Sequence, residues 1–394
     1  IFIKMKSLKY KKIVFFSGSR AELDLTTPVV KYLKIKNKKK FKIFFILSGT
    51  HLSKYYGNSE KLIKNDLTIY KKIKLNLKDS SINGITLTFE RLFSKFRKIL
   101  TKLKPDLVFL VGDRYETLCL SLVSKLLNIK ILHLHGGEKT EGSTDDVWRH
   151  VISKLSDFHS VISPNYKKRL IQLGEQPKNI FNFGSIGSDN IKKSFKENKK
   201  IFEKSKYLSF DKKLLITYNS LSNNIKEGRR ELKNILSSLS SFKKFGIFFT
   251  LPNHDLDANF LKEKIKEFCH KNANAFYADY LGKERFIYYL KQSDLFIGNS
   301  SSGIIEAPIA RVPTLNIGYR QKGRVFAPSI FGCSNNKKAI VKKINFILKL
   351  KQKKKIIYRD IFYKKNTIQK ITNLISKILN NKILSNKKFY DLKI

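Results

Sequence analysis

The stretch that most restricts how this chain can fold is residues 105–150, PDLVFLVGDRYETLCLSLVSKLLNIKILHLHGGEKTEGSTDDVWRH. It predicts a buried strand over Leu107–Val111, a helix, and a second buried strand over Lys130–His135. A loop follows with four carboxylates, two histidines and three glycines. Strand, helix, strand is the repeating unit of a parallel α/β sheet. The first strand empties into Gly112, Asp113 and Arg114, the second into His135, Gly136, Gly137 and Glu138. Open α/β sheets bind ligands at this carboxyl edge, so Asp113, His135 and Glu138 are expected to meet at one spot. Asp145, Asp146, Arg149 and His150 begin the next helix. Ser143, Thr144 and Asp145 are good N-cap residues and account for a plain helix start. They leave the glycine pair, Glu138 and Glu141 unexplained, which favours a functional loop.

Strand and helix alternate on both sides of that stretch. Lys12–Ser17 and Phe41–Leu47 are predicted strands ahead of it, and the first turns through Gly18-Ser19-Arg20-Ala21-Glu22 into a helix. Such a turn suits a phosphate, with Arg20 as a bidentate partner, although neither Walker nor G-x-G-x-x-G spacing is present. His51, after the second strand, reads as a satisfied loop residue. Ile85, Leu92, Phe96, Ile99 and Leu103 recur at helical spacing and read as core. Phe158–Ser163 and Ile180–Ser185 are further strands, and the charged segment 188–213 is the expected linker. The alternation restarts with Leu214–Tyr218, Phe245–Leu251, Ala275–Ala278, Asp294–Ile297 and Val312–Ile317. The expected domains are therefore 1–190 and a nucleotide-binding 191–394 with a lysine-rich helical tail, each large enough for its own core.

A second motif, Gly298-Asn299-Ser300-Ser301-Ser302-Gly303, opens a helix predicted over Ile304–Ala310. Small hydroxyl residues between glycines present N–H groups and hydroxyls to an anion, a diphosphate by this reading, with Glu306 in reach of a ribose diol. A plain N-cap needs one serine rather than three. Arg320, Lys322 and Arg324 follow the next strand and are placed to close over the same phosphates.

Composition removes several classes. Lys and Arg total 80 against 31 Asp and Glu, a formal charge of +49. The excess is mostly lysine, scattered through every segment beside abundant Ile, Asn and Phe, as an AT-rich genome produces. No aromatic-interleaved basic motif accompanies it, so no nucleic-acid partner is expected. No apolar run reaches the roughly 18 residues of a membrane span, and no export signal precedes the first strand, so a cytoplasmic protein without a membrane partner is expected. Cys119, Cys269 and Cys333 lack metal or redox spacing.

SGSRAELDL at 17–25, GDRYE at 112–116, HLHGGEKTEGSTDDVWRH at 133–150, LPNHD at 251–255 and GNSSSGIIEAPIARVPTLNIGYRQKGR at 298–324 together resemble the hydrolysing UDP-N-acetylglucosamine 2-epimerases. The resemblance runs in order from about residue 12 to 330. It implies a GT-B fold: two Rossmann-like, doubly wound parallel-sheet domains facing a cleft, commonly with C-terminal helices folding back over the first domain. It also implies a homodimer or homotetramer, a UDP-sugar substrate, and no cofactor or metal.

The reaction it implies removes UDP from a 2-acetamido sugar nucleotide by elimination to a glycal. Hydration then inverts carbon 2 and frees the sugar, N-acetylmannosamine or its 2,4-diacetamido-trideoxy analogue, for sialic or legionaminic acid synthesis. By resemblance Arg20, Ser300, Ser301 and Arg320 hold the diphosphate and Glu306 the ribose, with Asn219 and Asn253 also binding substrate. Asp113 and Asp145 match acid–base positions, with Glu138 and His135 as further candidates; carboxylates sharing a cleft raise one another's pKa.

Two positions depart from the pattern. His135 stands where some members carry Glu, a form that accompanies sialic-like precursors. Tyr218-Asn219-Ser220 replaces Tyr-His-Pro, and Asn219 donates a hydrogen bond but carries neither charge nor proton. His254 offers an imidazole one strand away. A non-hydrolysing epimerase or GT-B glycosyltransferase, and a non-catalytic sugar-nucleotide binder, are the alternatives.

Overall fold

The computed structural model describes residues 10–36, 40–53, 60, 63, 67–77, 82–141, 143–188, 191, 205–252, 257–279, 281–383 and 387–392. It divides into two compact units. Unit 1 is 1–137, 148–183 and 366–394, and unit 2 is 138–147 and 184–365.

Unit 1 is built on seven strands: β1 (Lys11–Ser17), β2 (Phe41–Leu47), β3 (Ile69–Lys72), β4 (Leu107–Val111), β5 (Lys130–Leu134), β6 (Phe158–Val161) and β7 (Ile180–Asn182). Every pairing is parallel, in the order β3-β2-β1-β4-β5-β6-β7. Helices α1 (Arg20–Lys36), α2 (Ile82–Leu103), α3 (Tyr115–Leu126), α4 (Asp145–Leu155) and α5 (Pro164–Gln172) make the crossovers. Ile13–Phe16 and Leu107–Val111 are buried without alternation, as befits strands covered on both faces. In α2 the buried residues Leu92, Phe96, Leu100 and Leu103 recur every three or four positions, the stripe a surface helix turns to its core.

Unit 2 repeats the plan with β8 (Lys212–Thr217), β9 (Phe245–Thr250), β10 (Ala275–Ala278), β11 (Leu295–Gly298), β12 (Thr314–Ile317) and β13 (Ile330–Cys333). Its parallel order is β10-β9-β8-β11-β12-β13. Helices α6 (Ile225–Leu239), α7 (Ala258–Lys271), α8 (Gly282–Gln292), α9 (Ser302–Ile309) and α10 (Lys337–Gln352) accompany it. In each sheet the winding reverses once, between β1 and β4 and between β8 and β11. These are the switch points where doubly wound sheets take ligands.

The division differs from 1–190 and 191–394. Unit 2 starts at Gly184, and residues 366–394 return to unit 1. The reason is α11 (Thr367–Leu379), which buries Ile368, Ile371, Leu374, Ile375, Ile378 and Leu379 and packs on α1. Segment 138–147 also belongs to unit 2. Most of the expected linker, 189–190 and 192–204, lies outside the described residues, as do Asn253 and His254. Among the described residues no helix is long and apolar enough to cross a membrane.

Candidate active site

At the switch point of unit 1, β4 ends in Gly112 and Asp113. Asp113 forms an ion pair with Arg149 of α4; their side chains are 25% and 3% exposed. Arg149 lies on the same buried face of α4 as Ile152 and Ser153, so the helix delivers the guanidinium from below the surface while the carboxylate stays accessible. His133, fully buried in β5, sits 2.7 Å from the Gly112 carbonyl through Nε2 and 3.2 Å from Ser153 Oγ through Nδ1. A carbonyl only accepts, so Nε2 carries the proton and Nδ1 accepts from the hydroxyl. His133 thereby holds the backbone immediately before Asp113.

A second charged cluster fixes the turn that carries Arg20. Arg114 donates to both oxygens of buried Glu116, at 3.1 and 3.3 Å. Glu22 accepts from the N–H groups of Gly18 and Ser19, at 2.6 and 3.1 Å. Burial, with the charge of Glu116 adding to it, pushes the Glu22 carboxyl up to about 7 against the pull of Arg114 and the two N–H groups. His51, 2.8 Å from Ser17 Oγ, is fully buried and pushed down to about 4, chiefly by burial, which fits a satisfied loop residue.

At the switch point of unit 2 an asparagine, serines and a glutamine surround a single arginine side chain, Arg320. The Asn299 side chain grips the backbone of Asn219 twice, accepting from its N–H at 2.7 Å and donating to its carbonyl at 2.8 Å. The Asn299 carbonyl accepts from Arg320 Nη1 at 3.2 Å and Gln321 Nε2 at 2.8 Å. One buried asparagine thus ties together the ends of β8 and β11 and the turn after β12. Ser300 Oγ accepts from the Ser302 N–H at 3.3 Å, whereas Ser301 makes no side-chain cap bond. Gly303 lets α9 lie directly on the sheet, because a Cβ there would meet the Phe296 ring and Thr314 Cγ2 at 2.8 Å. Glu306 lies one turn further along α9.

Several expectations need correcting. The predicted strand Lys130–His135 stops at Leu134, because His135 turns into the left-handed region, φ +65°. That backbone is uncommon for a residue with a side chain and is found disproportionately at functional sites. Asp113 and His135 fall in unit 1 while Glu138 and Asp145 fall in unit 2. Two of the candidate acid–base carboxylates each have their own guanidinium, Asp113 with Arg149 and Glu138 with Arg324. Of the three cations after β12, Lys322 pairs with Glu141 and Arg324 with Glu138, and Arg320 is the one placed beside the serine turn. The glycine pair has a packing role: a Cβ on Gly136 would meet Ser153 Oγ at 2.7 Å, and one on Gly137 the Tyr166 carbonyl at 2.3 Å. His133, Asn299 and Gln321 have no role of their own in the sequence reading; the signal available was their place within four residues of a strand end.

Two Rossmann-like parallel sheets, each with polar groups at its switch point, place the chain in the GT-B class. The chain belongs to the UDP-N-acetylglucosamine 2-epimerase family, whose profile matches residues 33–376. It is 39% identical over 328 residues to a GDP/UDP-N,N'-diacetylbacillosamine 2-epimerase (hydrolyzing) of Campylobacter jejuni, covering 83% of this chain and 85% of that one. With a UDP-N,N'-diacetylbacillosamine 2-epimerase (hydrolyzing) of Legionella pneumophila it shares 29% identity over 379 residues, 95% of this chain and 98% of the other. The crystal structure of a UDP-GlcNAc 2-epimerase from Neisseria meningitidis, bound to UDP-GlcNAc, superposes with a TM-score of 0.78 at 18% identity, over 93% of this chain and all of that one.

Proposed function

We propose that this chain is a hydrolysing 2-epimerase acting on a nucleotide-linked 2,4-diacetamido-trideoxyglucose, releasing the nucleoside diphosphate and the free manno-configured sugar. The observation that carries this reading is Asp113, an accessible carboxylate held by a buried guanidinium at a switch point, in a chain whose relatives hydrolyse such substrates by name. Asp113 takes the proton from carbon 2. The electron pair of that C–H bond forms the carbon 1–carbon 2 double bond as the bond from carbon 1 to the diphosphate oxygen breaks. A barely acidic proton needs both a positioned base and a stabilised leaving group. Arg320, Ser300, Ser301 and Arg20 are assigned to the departing diphosphate and Glu306 to the ribose. Asp145 and His135 are assigned the second step. One gives a proton to carbon 2 from the opposite face, and the other takes the proton lost by the water that adds to carbon 1.

Proton NMR in deuterated water tests the reading. The protein is incubated with UDP- or GDP-2,4-diacetamido-trideoxyglucose and, separately, UDP-N-acetylglucosamine. The expected products from a diacetamido substrate are the free nucleoside diphosphate and a manno sugar carrying deuterium at carbon 2. Product from UDP-N-acetylglucosamine alone would reassign the sugar. Nucleotide binding without product from any of them would identify a binder, with Asn219 as the first suspect.

A further inference from the structure

The segment that leaves β5 carries Glu138 and Glu141, and both are held by side chains of the turn after β12. Glu138 Oε2 lies 2.9 Å from Arg324 Nη2, with the two side chains 2% and 8% exposed. Glu141 lies 2.6 Å from Lys139 and 3.0 Å from Lys322. Backbone contacts reinforce these pairs: the Glu141 N–H donates to the Lys322 carbonyl at 3.4 Å, and Asn223 Nδ2 donates to the Glu141 carbonyl at 2.8 Å. Gly323, φ +89°, admits the approach, since a Cβ there would meet Lys139 Cδ at 2.7 Å. The segment then folds on itself, with the Thr140 N–H donating to Asp146 Oδ1 at 2.5 Å, beside Asp145. The turn that receives it, 319–324, is also the turn from which Arg320 reaches the Asn299 carbonyl.

We propose that Glu138 and Arg324 are positioning residues: their buried pair seats the segment bearing Asp145 on the turn that presents Arg320, and Glu138 itself transfers no proton. A carboxylate desolvated against a guanidinium cannot be protonated in turnover without stranding a buried positive charge, so its worth lies in geometry. The exposed pairs of Glu141 are the weaker part of the seat. The consequence is that the carboxylate of the second step and the cation on the leaving group are set by one anchor. This inference rests on the epimerase reading, and its test is arranged so that the two fail separately.

Wild type is assayed first with the substrates above. Absence of turnover sinks the epimerase reading, while UDP titration and hydrogen exchange still report on the seat. The variants are Glu138→Gln, Arg324→Gln, Arg324→Lys and the neutral, hydrogen-bonding double variant Glu138→Gln/Arg324→Gln, which avoids an unpaired buried charge should a single variant fail to fold. The expected result is a roughly 10- to 100-fold loss of kcat in either glutamine single variant. Both limbs of the kcat–pH profile should survive, and exchange at the Glu141 amide should quicken. The double variant should be no worse than the poorer single, because both remove one interaction, and Arg324→Lys should recover part of the loss. Loss of one pH limb in Glu138→Gln, with Arg324→Gln adding independently, would make Glu138 an acid–base group. Wild-type kcat, UDP affinity and amide exchange in Arg324→Gln would remove Arg324 from the scheme.

Discussion

The two switch points of this protein are built on the same strand order and carry opposite chemistry. In unit 1 the strand ends present charge: Asp113 with Arg149, Glu116 with Arg114, and Glu22 held near neutrality. In unit 2 they present an asparagine clamp, serines and a glutamine, with Arg320 drawn in by a carbonyl. Proton transfer needs groups whose ionisation the protein sets, whereas holding a diphosphate needs preorganised donors whose state never changes. On the proposed reading one architecture serves both, because the sheet only delivers side chains to an edge and the residues after each strand decide what arrives.

Substitution should separate the two edges. The largest effect is expected from Asp113→Asn, a loss of about 10²- to 10⁴-fold in kcat with UDP affinity kept within a few-fold. Retained turnover would place the base elsewhere. Arg320→Ala should act the other way, weakening UDP by roughly 10- to 100-fold in a calorimetric titration, the worth of a charged hydrogen bond. Asn299→Ala should raise the dissociation constant for UDP about 10-fold by freeing the backbone of Asn219 and the carbonyl partner of Arg320. An unchanged constant would mean that the clamp is irrelevant to the nucleotide. Asn219→His should raise kcat a few-fold, since it supplies the imidazole of the Tyr-His-Pro pattern where asparagine carries neither charge nor proton; no gain would show a site already adapted to asparagine.

The smallest effect concerns stability rather than turnover. Glu22 titrates near 7 in the native state against an ordinary 4.5, so between those values the folded protein keeps a proton that the unfolded chain has given up. Its contribution is highest below pH 4.5, falls as pH rises and is lost above 7, by roughly 3 kcal/mol in all. His51 works in the opposite sense, costing stability as pH falls from 6.5 to about 4. Glu22→Gln should therefore flatten the decline in thermal midpoint between pH 5 and 8. An equal decline in the variant would assign it to other groups.

The strand ends were legible in the sequence because apolar runs stopping at glycine and charge leave little choice of fold. β2, β4 and β10 came out to the residue. β3 and β13 went unpredicted: Ile69–Lys72 is half-polar and Ile330–Cys333 only four residues long, and each lies at the edge of its sheet, where the long apolar run that marks central strands is missing. The site was legible as residue types and not as partners. Nothing local in GDR announces an arginine 36 residues away, or in HGGE one 186 residues away. His135 looked like the last residue of a strand because a left-handed backbone leaves no compositional trace outside glycine and asparagine.

The return of residues 366–394 to unit 1 has a consequence for the order in which the chain assembles. Domains on a nascent chain ordinarily fold from the N-terminus. Here the outer face of α1 lacks its partner α11 until all of 184–365 has been synthesised. The seven strands of unit 1 are all made before β8, yet that unit gains its last helix only after 184–365 has been made. A chain cut after Lys365 should therefore keep the second sheet folded and lose protection in the first, which limited proteolysis of the truncated protein would reveal.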